Sequence, residues 1–306
     1  MSTDVIASDG VTLAVHRYTD IDPRRPTILA VHGWPDNHHL WDAVADEFAQ
    51  RYGGRYNVVA YDVRGAGESS RPAKRSGYAF GHLVADIDAV IDSLGVRRVH
   101  LLAHDWGSIQ AWAAVTDTSV MGKVASFTSV SGPHLSYAGA FLRSVRGVRS
   151  LGQVVRQLLA STYIGFFLCP LVPELAFHSR IGVGVVAAAE RIGGAGTRRR
   201  RARAPRSIAD YVNGLNLYRA NMVAGLLTRE RGLPTTDVAT QVLVPRWDLF
   251  VTPALQRFTG AIPARGTVTG IEGGHWVVTS HPEVIAERTA EWVDRNTDQA
   301  IERAAP

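Results

Sequence analysis

The sequence predicts an α/β protein with a mostly parallel central sheet that is interrupted by a helical insertion. Two observations predict this fold. Short apolar runs alternate with amphipathic stretches over the first 133 residues, as they do when helices connect parallel strands. The alternation then stops and resumes near residue 235. With 306 residues and 46% hydrophobic content, the chain is long enough for one large domain with an insertion.

The first 133 residues supply most of the predicted sheet. An alternating stretch around Asp9 and Gly10 predicts a β-hairpin, because Asp-Gly favours a tight turn. Continuous apolar runs predict four buried strands, at residues 27–33, 56–65, 98–104 and 124–133. Amphipathic stretches predict the intervening helices, at residues 41–52, 80–96 and 108–116.

The middle of the chain follows a different pattern, because it lacks clear runs for buried strands. It is expected to form a helical insertion with a mobile, low-complexity loop at about residues 193–206. The strand pattern then resumes twice and ends in an amphipathic helix, at residues 241–248, 266–276 and 282–295. We therefore expect three parts, namely an α/β core at residues 1–133 and 235–296, a helical cap at 134–234, and a polar tail at 297–306.

The formal charge of +5 and the pI of about 9.6 owe much to one run of arginines. Residues 197–206 contain six arginines and no acidic residue. A solvated loop is the simpler interpretation of this run, so we expect no nucleic-acid partner. The alternatives are a phosphate-binding patch and contact of Arg198 to Arg203 with an anionic membrane surface.

Cysteine usage and the lack of long apolar segments indicate the cellular compartment. The chain has one cysteine, Cys169, so no intrachain disulfide can form, and this fits a reducing compartment. The first residues lack the pattern of a secretory signal, and no apolar run reaches the roughly 20 residues that a membrane span needs. We expect a cytoplasmic protein and leave peripheral membrane association and a homodimer open.

The stretch "AHDWG" has the composition of a sharp strand-to-helix corner with Asp105 at its centre. Such a corner holds the central residue near positive φ and crowds its neighbours, so small residues are needed on both sides, here Ala103 and Gly107. The corner exposes Asp105 at the carboxyl end of a central strand, where α/β sheets bind ligands. Asp105 is therefore a candidate nucleophile; the alternative is that it only caps the helix.

The stretch "VHGWPD" is a candidate source of backbone donors for the same site. A His-Gly-X-Pro turn after a buried strand lets backbone N–H groups point into the site. We expect the N–H groups of Trp34 and Trp106 to form an oxyanion hole. This pattern alone is also compatible with an ordinary loop.

Two further residues complete a catalytic arrangement. His275 follows a strand in a glycine turn, and Asp248 ends the preceding strand. The order nucleophile, acid, histidine along the chain is the one that hydrolases of this architecture use. We expect His275 to act as the general base and Asp248 to orient it. His104 adjoins Asp105, and we interpret it as a packing or hydrogen-bonding residue.

Together, these segments resemble the α/β-hydrolase fold family and, within it, the epoxide hydrolases. The segments "HGWP", "DVRGAGESSRP" and "HDWG" carry the resemblance, which extends from about Val5 to Arg295 and is weaker in the insertion. The insertion corresponds to the helical cap of that family. The core also resembles the hydrolase half of actinobacterial proteins that carry a short-chain dehydrogenase downstream, so the chain is compatible with one part of such a fusion.

The resemblance implies two cap tyrosines that hold and protonate the epoxide oxygen. The stretch "TYIGFFLCP" matches the first family pattern and places one at Tyr163. The stretch "LNLYRANM" matches the second and places the other at Tyr218, with Leu217 where the family usually has an aromatic residue. The alternative, that each tyrosine is only a packed cap aromatic, is accepted for Tyr137 and Tyr211.

The implied activity is hydrolysis of a lipophilic epoxide to a vicinal diol, through an ester on Asp105. This chemistry needs neither a metal nor an organic cofactor. Five apolar cap residues suggest an apolar pocket: Phe141, Phe166, Phe167, Leu168 and Leu171. Two alternatives remain open, namely a haloalkane or haloacetate dehalogenase with the same nucleophile, and a catalytically silent ligand-binding protein on this scaffold.

Overall fold

The computed structural model describes residues 2–193, 205–227 and 232–302. One sheet of eight strands forms the centre of the protein, in the order β1-β2-β4-β3-β5-β6-β7-β8. The strands are β1 (Ser2–Ile6), β2 (Thr12–Arg17), β3 (Thr27–Val31), β4 (Asn57–Tyr61), β5 (Val99–His104), β6 (Val124–Val130), β7 (Ala239–Pro245) and β8 (Gly266–Ile271). Strand β2 is antiparallel to both of its neighbours, and the six strands β3 to β8 are parallel to one another.

Twelve α-helices accompany the sheet in the described part of the chain. They are α1 (Asp42–Tyr52), α2 (Phe80–Ser93), α3 (Trp106–Thr116), α4 (Leu135–Arg143), α5 (Val148–Ala160), α6 (Thr162–Leu168), α7 (Val172–His178), α8 (Ile181–Gly193), α9 (Ile208–Leu227), α10 (Pro253–Gly260), α11 (Val277–Ser280) and α12 (Pro282–Glu302). Three short 3₁₀ helices lie at His38–Trp41, Arg75–Tyr78 and Met121–Lys123.

The strand order explains why helices cover both faces of the sheet. The chain moves outward from β3 to β4 and then returns past β3 to β5. Because crossovers between parallel strands are right-handed, this reversal places α1 on one face and α2 on the other. In agreement, α1 packs with α12, while α2 packs with α3. Ligands bind at such a reversal, beyond the carboxyl ends of the strands, and β5 ends there.

The core strands are buried as their sequence pattern predicts. Every residue of β3, β4, β5 and β7 is buried, and the β1–β2 hairpin turns at Gly10, whose φ is +83°. The α/β class and the mostly parallel sheet are therefore confirmed. The segment between β6 and β7 contains helices α4 to α9 among the described residues, and the arginine run at residues 198–203 lies outside them.

The end of the last helix differs from the sequence expectation. Helix α12 continues to Glu302, so the chain does not leave the helix near residue 296 as the polar composition suggested. Polar residues are compatible with a helix whose one side faces solvent. Among the described residues no single helix is long and apolar enough to cross a membrane; the segments Val148–Leu168 and Val172–His178 meet these criteria only together, across a 90° bend.

Candidate active site

Asp105 lies at the corner between β5 and α3, with φ of 49° and ψ of −122°. The tight corner depends on Gly107, where an added methyl group would collide with the carbonyl oxygens of Val31 and His32. Asp105 makes no side-chain capping hydrogen bond to α3. Its buried carboxylate points into the site instead, which argues against the interpretation of Asp105 as only a helix cap.

The loop after β3 supplies a backbone donor to Asp105. The Trp34 N–H donates to Oδ2 of Asp105 at 2.9 Å, and the Trp34–Pro35 peptide bond is cis. A methyl group on Gly33 would lie 2.5 Å from Asp105 Oδ2 and 2.6 Å from the Trp106 nitrogen, so only glycine allows this approach. Trp106 is the first residue of α3, where N–H groups lack intrahelical partners. The Trp34 amide thus contacts one carboxylate oxygen of Asp105, and the Trp106 amide lies at the same corner.

His275 lies between two carboxylates. Its Nδ1 is 3.1 Å from Asp248 Oδ1, and its Nε2 is 3.6 Å from Asp105 Oδ1. Asp248 is buried just after β7, and His275 lies in the turn after β8, so neighbouring parallel strands bring them together. The structure therefore places Asp105, His275 and Asp248 in a line, with the imidazole in the middle.

The two carboxylates set the charge of His275. Burial opposes the imidazolium form, but the negative charges of Asp248 and Asp105 outweigh burial and raise the pKa of His275 to about 10. Burial also disfavours the charged form of Asp248, yet the imidazolium and backbone N–H donors hold the pKa of that carboxyl below its usual range. Near neutral pH, His275 is therefore protonated.

The pKa of His275 is expected to fall in an Asp105→Asn variant, because one of its two negative neighbours is removed. A fall of roughly one to three units is the usual effect of losing an opposite charge at this distance. Titration of the imidazole by NMR would measure it, with mass spectrometry to verify that the introduced amide is not hydrolysed. Asp42→Asn is the matched control, since that carboxylate contacts His39 instead. An unchanged His275 pKa would contradict this electrostatic account.

Tyr163 in α6 and Tyr218 in α9 face Asp105 from the cap side. Their ring centroids are 6.2 Å apart, and both residues line the same cavities as Asp105. Burial of their hydroxyls, with the charge of Asp105 adding to it, raises the pKa of each phenol above its ordinary value of 10. Both phenols are therefore protonated near neutral pH and can donate hydrogen bonds.

Two apolar cavities meet beside Asp105 and the two tyrosines. Cavity A has a volume of about 220 Å³ and extends towards α7 and α8, while cavity B has a volume of about 280 Å³ and extends towards α4 and α5. Four residues line both cavities: Asp105, Tyr163, Tyr218 and Phe250. A molecule bound at the carboxylate can thus extend apolar groups in two directions.

The prediction of pocket residues from composition was only partly right. Phe166 and Phe167 line cavity A. Phe141 instead packs against Phe258 outside the cavities, and Leu168 also lies outside their walls. Leu171 is 71% exposed. Apolar content does not reveal which side of a cap helix faces the substrate.

The residues that support Asp248 leave no recognisable pattern in the sequence. Oδ1 of Asp248 accepts hydrogen bonds from the backbone N–H groups of Phe250 and Val251, at 2.9 and 3.0 Å. Oδ2 accepts one from Gln256 Nε2 at 3.1 Å. Across the site, His104 Nε2 is 2.9 Å from the carbonyl oxygen of His275, which confirms His104 as a hydrogen-bonding residue.

A buried ion-pair network beside His275 was also missed. Asp36 Oδ1 accepts hydrogen bonds from Arg206, and its Oδ2 accepts one from Trp276 Nε1 at 3.0 Å. Arg206 also pairs with Glu190 of α8 at 2.9 Å. This network joins the turn after β3, the base of the cap and the residue next to His275. Sequence spacing gave no signal of it, because the partners lie up to 240 residues apart.

One group of possible metal ligands occurs in the described part of the chain: His16, His38 and Asp62. The imidazole rings stack with centroids 3.4 Å apart and an interplanar angle of 12°. Nearly parallel rings cannot direct their in-plane nitrogen lone pairs at one ion. Both imidazoles instead hydrogen-bond to the Asp62 carboxylate, at 3.0 and 2.9 Å, so the arrangement fits a structural cluster better than a metal site.

Comparison with known proteins agrees with this geometry. The profile of the alpha/beta hydrolase fold family matches residues 26–160. The probable oxidoreductase EphD of Mycobacterium tuberculosis H37Rv is 34% identical over 301 residues, which are 96% of this chain and 50% of that protein. Epoxide hydrolase 3 of Xenopus tropicalis is 33% identical over 165 residues, which are 54% of this chain and 41% of that protein. The chain spans about half the length of the EphD relatives it matches.

Solved structures give the same fold. An epoxide hydrolase from Bacillus megaterium in complex with an inhibitor has a TM-score of 0.74 at 20% identity, over 96% of this chain and 100% of that one. Epoxide hydrolase VrEH1 from Vigna radiata has a TM-score of 0.70 at 23% identity, over 96% and 98%. The chain therefore has the α/β-hydrolase fold. Epoxide hydrolases are among its sequence relatives.

Proposed function

We propose that this chain hydrolyses a lipophilic epoxide to a vicinal diol through a covalent ester on Asp105. One observation carries the proposal: a carboxylate held by an oxyanion-hole amide faces two protonated phenols where two apolar cavities meet. The epoxide hydrolases among its sequence relatives and structural neighbours support the same activity. We also propose the division into core and cap given above.

The first half-reaction forms the ester. Oδ2 of Asp105 is held by the Trp34 N–H, so Oδ1 is the oxygen available to attack an epoxide carbon. The new C–O bond forms as the ring C–O bond breaks, and the ring oxygen takes the displaced electron pair. Tyr163 and Tyr218 donate hydrogen bonds to that oxygen and supply its proton, because an alkoxide is too basic to leave unprotonated at neutral pH.

The second half-reaction cleaves the ester with water. Esterification removes the negative charge of Asp105, so the pKa of His275 falls and the imidazolium releases its proton. One proton returned to the site restores the phenol that protonated the ring oxygen, and the neutral imidazole can then accept a proton. His275, oriented by Asp248, takes a proton from water, which attacks the ester carbonyl carbon. The carbonyl oxygen is then Oδ2, already in contact with the Trp34 N–H and close to that of Trp106, so the oxyanion forms inside the hole.

A single turnover in ¹⁸O water tests the covalent route. With enzyme in excess over an apolar epoxide, the diol of the first turnover is expected to contain only ¹⁶O, because its new oxygen comes from Asp105. The label should appear in the Asp105 side chain and reach the diol in later turnovers. Mass spectrometry of the diol and of the Asp105 peptide measures both, and labelled diol in the first turnover would exclude the ester.

The dehalogenase alternative shares the nucleophile and the ester, but a halide leaves without a proton. The two phenols that face Asp105 have a use in epoxide opening and none in dehalogenation, so they favour the epoxide. We propose a small apolar epoxide as the ligand. The proposed membrane contact through Arg198 to Arg203 lies outside the described residues, and the cytoplasmic location and the homodimer stay predictions.

A further inference from the structure

Helix α5 exposes an apolar stripe on the outside of the protein. Its exposed side chains follow helical spacing along one side, at Val148, Leu151, Val155, Leu158 and Leu159. Only Val154 and Gln157 of this helix are buried. The apolar side of α5 is therefore wider than the surface that the rest of the protein covers.

The exposed apolar surface continues over α6 to α8. The consecutive helices α5 to α8 pack on one another. The exposed apolar residues of this part are Phe166, Leu171, Val172, Leu175, Ile181, Val185 and Ile192. We call this surface together with the α5 stripe the cap face. Apolar surfaces of this extent mark interaction sites.

The cap face is rimmed by positive charge. Residues 144–193 contain five arginines, all exposed, at Arg146, Arg149, Arg156, Arg180 and Arg191. The same residues include only two acids, and each is paired with an arginine outside this segment. Glu174 pairs with Arg219, and Glu190 pairs with Arg206. The cap face is therefore positively charged, because the two acidic residues of the segment pair with arginines outside it and not with its own five.

Both cavities reach the cap face. Phe166, Ile181 and Val185 line cavity A and are 38%, 69% and 65% exposed. Leu158 lines cavity B and is 52% exposed. The walls that lead to Asp105 and the exposed apolar surface thus share side chains, so an apolar molecule on this surface would meet the cavities directly.

We propose that the cap face docks on an anionic lipid bilayer and that the cavities take the lipophilic epoxide from it. An apolar face with arginines beside it is the composition of surfaces that insert shallowly into anionic membranes. A second copy of the chain fits less well, because two cap faces would bring arginines against arginines. The docking proposal depends only on the composition of the cap face, whereas delivery of the epoxide rests on the proposed function.

Vesicle flotation tests the docking. The full chain is expected to float with vesicles of phosphatidylcholine and phosphatidylglycerol, more weakly with phosphatidylcholine alone, and less as salt rises. The variant Arg149→Gln/Arg156→Gln should lose roughly 10- to 30-fold in affinity, since each basic residue near an anionic surface contributes about 1 kcal/mol. Leu151→Gln/Val155→Gln/Leu159→Gln should lose at least as much, because the apolar side chains insert. All five substituted residues are exposed, and none of them lines cavity A or cavity B.

The matched control is Arg97→Gln/Arg257→Gln, which removes the same charge from exposed positions outside residues 144–193 and should bind like wild type. Equal loss in the control, or no flotation of wild type, overturns the docking proposal. So does a dimer of wild type that the apolar variant dissociates, because a second copy would then be the occupant.

Turnover of a small water-soluble epoxide should be unchanged in all variants. Flotation without any epoxide turnover would reject the proposed function and leave the docking intact.

Discussion

The His275→Ala variant is expected to stop after the first half-reaction and to accumulate the ester on Asp105. Asp105 keeps its oxyanion-hole donor and faces the phenols as before, so it still attacks the epoxide. The ester then lacks the base that activates water, and general-base catalysis typically contributes roughly 10²- to 10⁴-fold. Steady turnover should fall by that amount, while the Asp105 peptide gains the mass of one substrate.

Two control variants accompany this measurement. His178→Ala removes an exposed cap histidine outside the site and should turn over like wild type. Asp105→Asn/His275→Ala should give no adduct, because the nucleophile is gone. An adduct on another residue would contradict the assignment of Asp105, and full turnover by His275→Ala would contradict that of His275.

The Tyr163→Phe/Tyr218→Phe variant is expected to lose epoxide opening by roughly 10²- to 10⁴-fold, because no acid remains for the departing oxygen. Each single variant should retain part of the activity, since one phenol still donates. Phenylalanine preserves the packing of Tyr218 against Trp34, Trp106 and Phe167, so the loss would reflect the hydroxyl. Rates of ester formation under single-turnover conditions measure the effect.

The same variant separates the two candidate reactions. A haloalkane or haloacetate needs no proton on its leaving group, so removal of the phenols would leave dehalogenation intact. Tyr137→Phe is the matched control: its hydroxyl donates to the carbonyl oxygen of Pro234 at 2.6 Å and does not line either cavity. That variant should keep its activity and lose about 1 kcal/mol of unfolding free energy. Full epoxide turnover by both single tyrosine variants would reject the cap assignment.

The site residues that could be predicted lie where the backbone geometry restricts which residue types can occupy the neighbouring positions. The corner around Asp105 needs small neighbours, and the turn at Gly33 must admit a carboxylate, so both leave a pattern in the chain. His275 follows the end of a parallel strand, and strand order then implies its proximity to Asp105. The tyrosines leave no such pattern and were found through the family resemblance.

The rest of the site depends on contacts between distant residues. Arg206 reaches Asp36 across 170 positions, and Gln256 supports Asp248 from a helix with no catalytic motif. Gln157 of α5 accepts hydrogen bonds from the N–H and the hydroxyl of Thr252, both at 2.8 Å. Such polar partners are chosen by tertiary packing, which composition and periodicity do not encode residue by residue.

Trp34 connects the cap to the chemistry of the core. Its backbone N–H holds Asp105 Oδ2, while its indole Nε1 donates to the carbonyl oxygen of Tyr211 in α9 at 2.9 Å. A movement that lifts α9 away from the core would break the second hydrogen bond and free the side chain of the residue whose backbone makes the first. Under the proposed mechanism, opening the cap to release the diol would therefore also loosen the backbone donor that stabilises the oxyanion of the next ester.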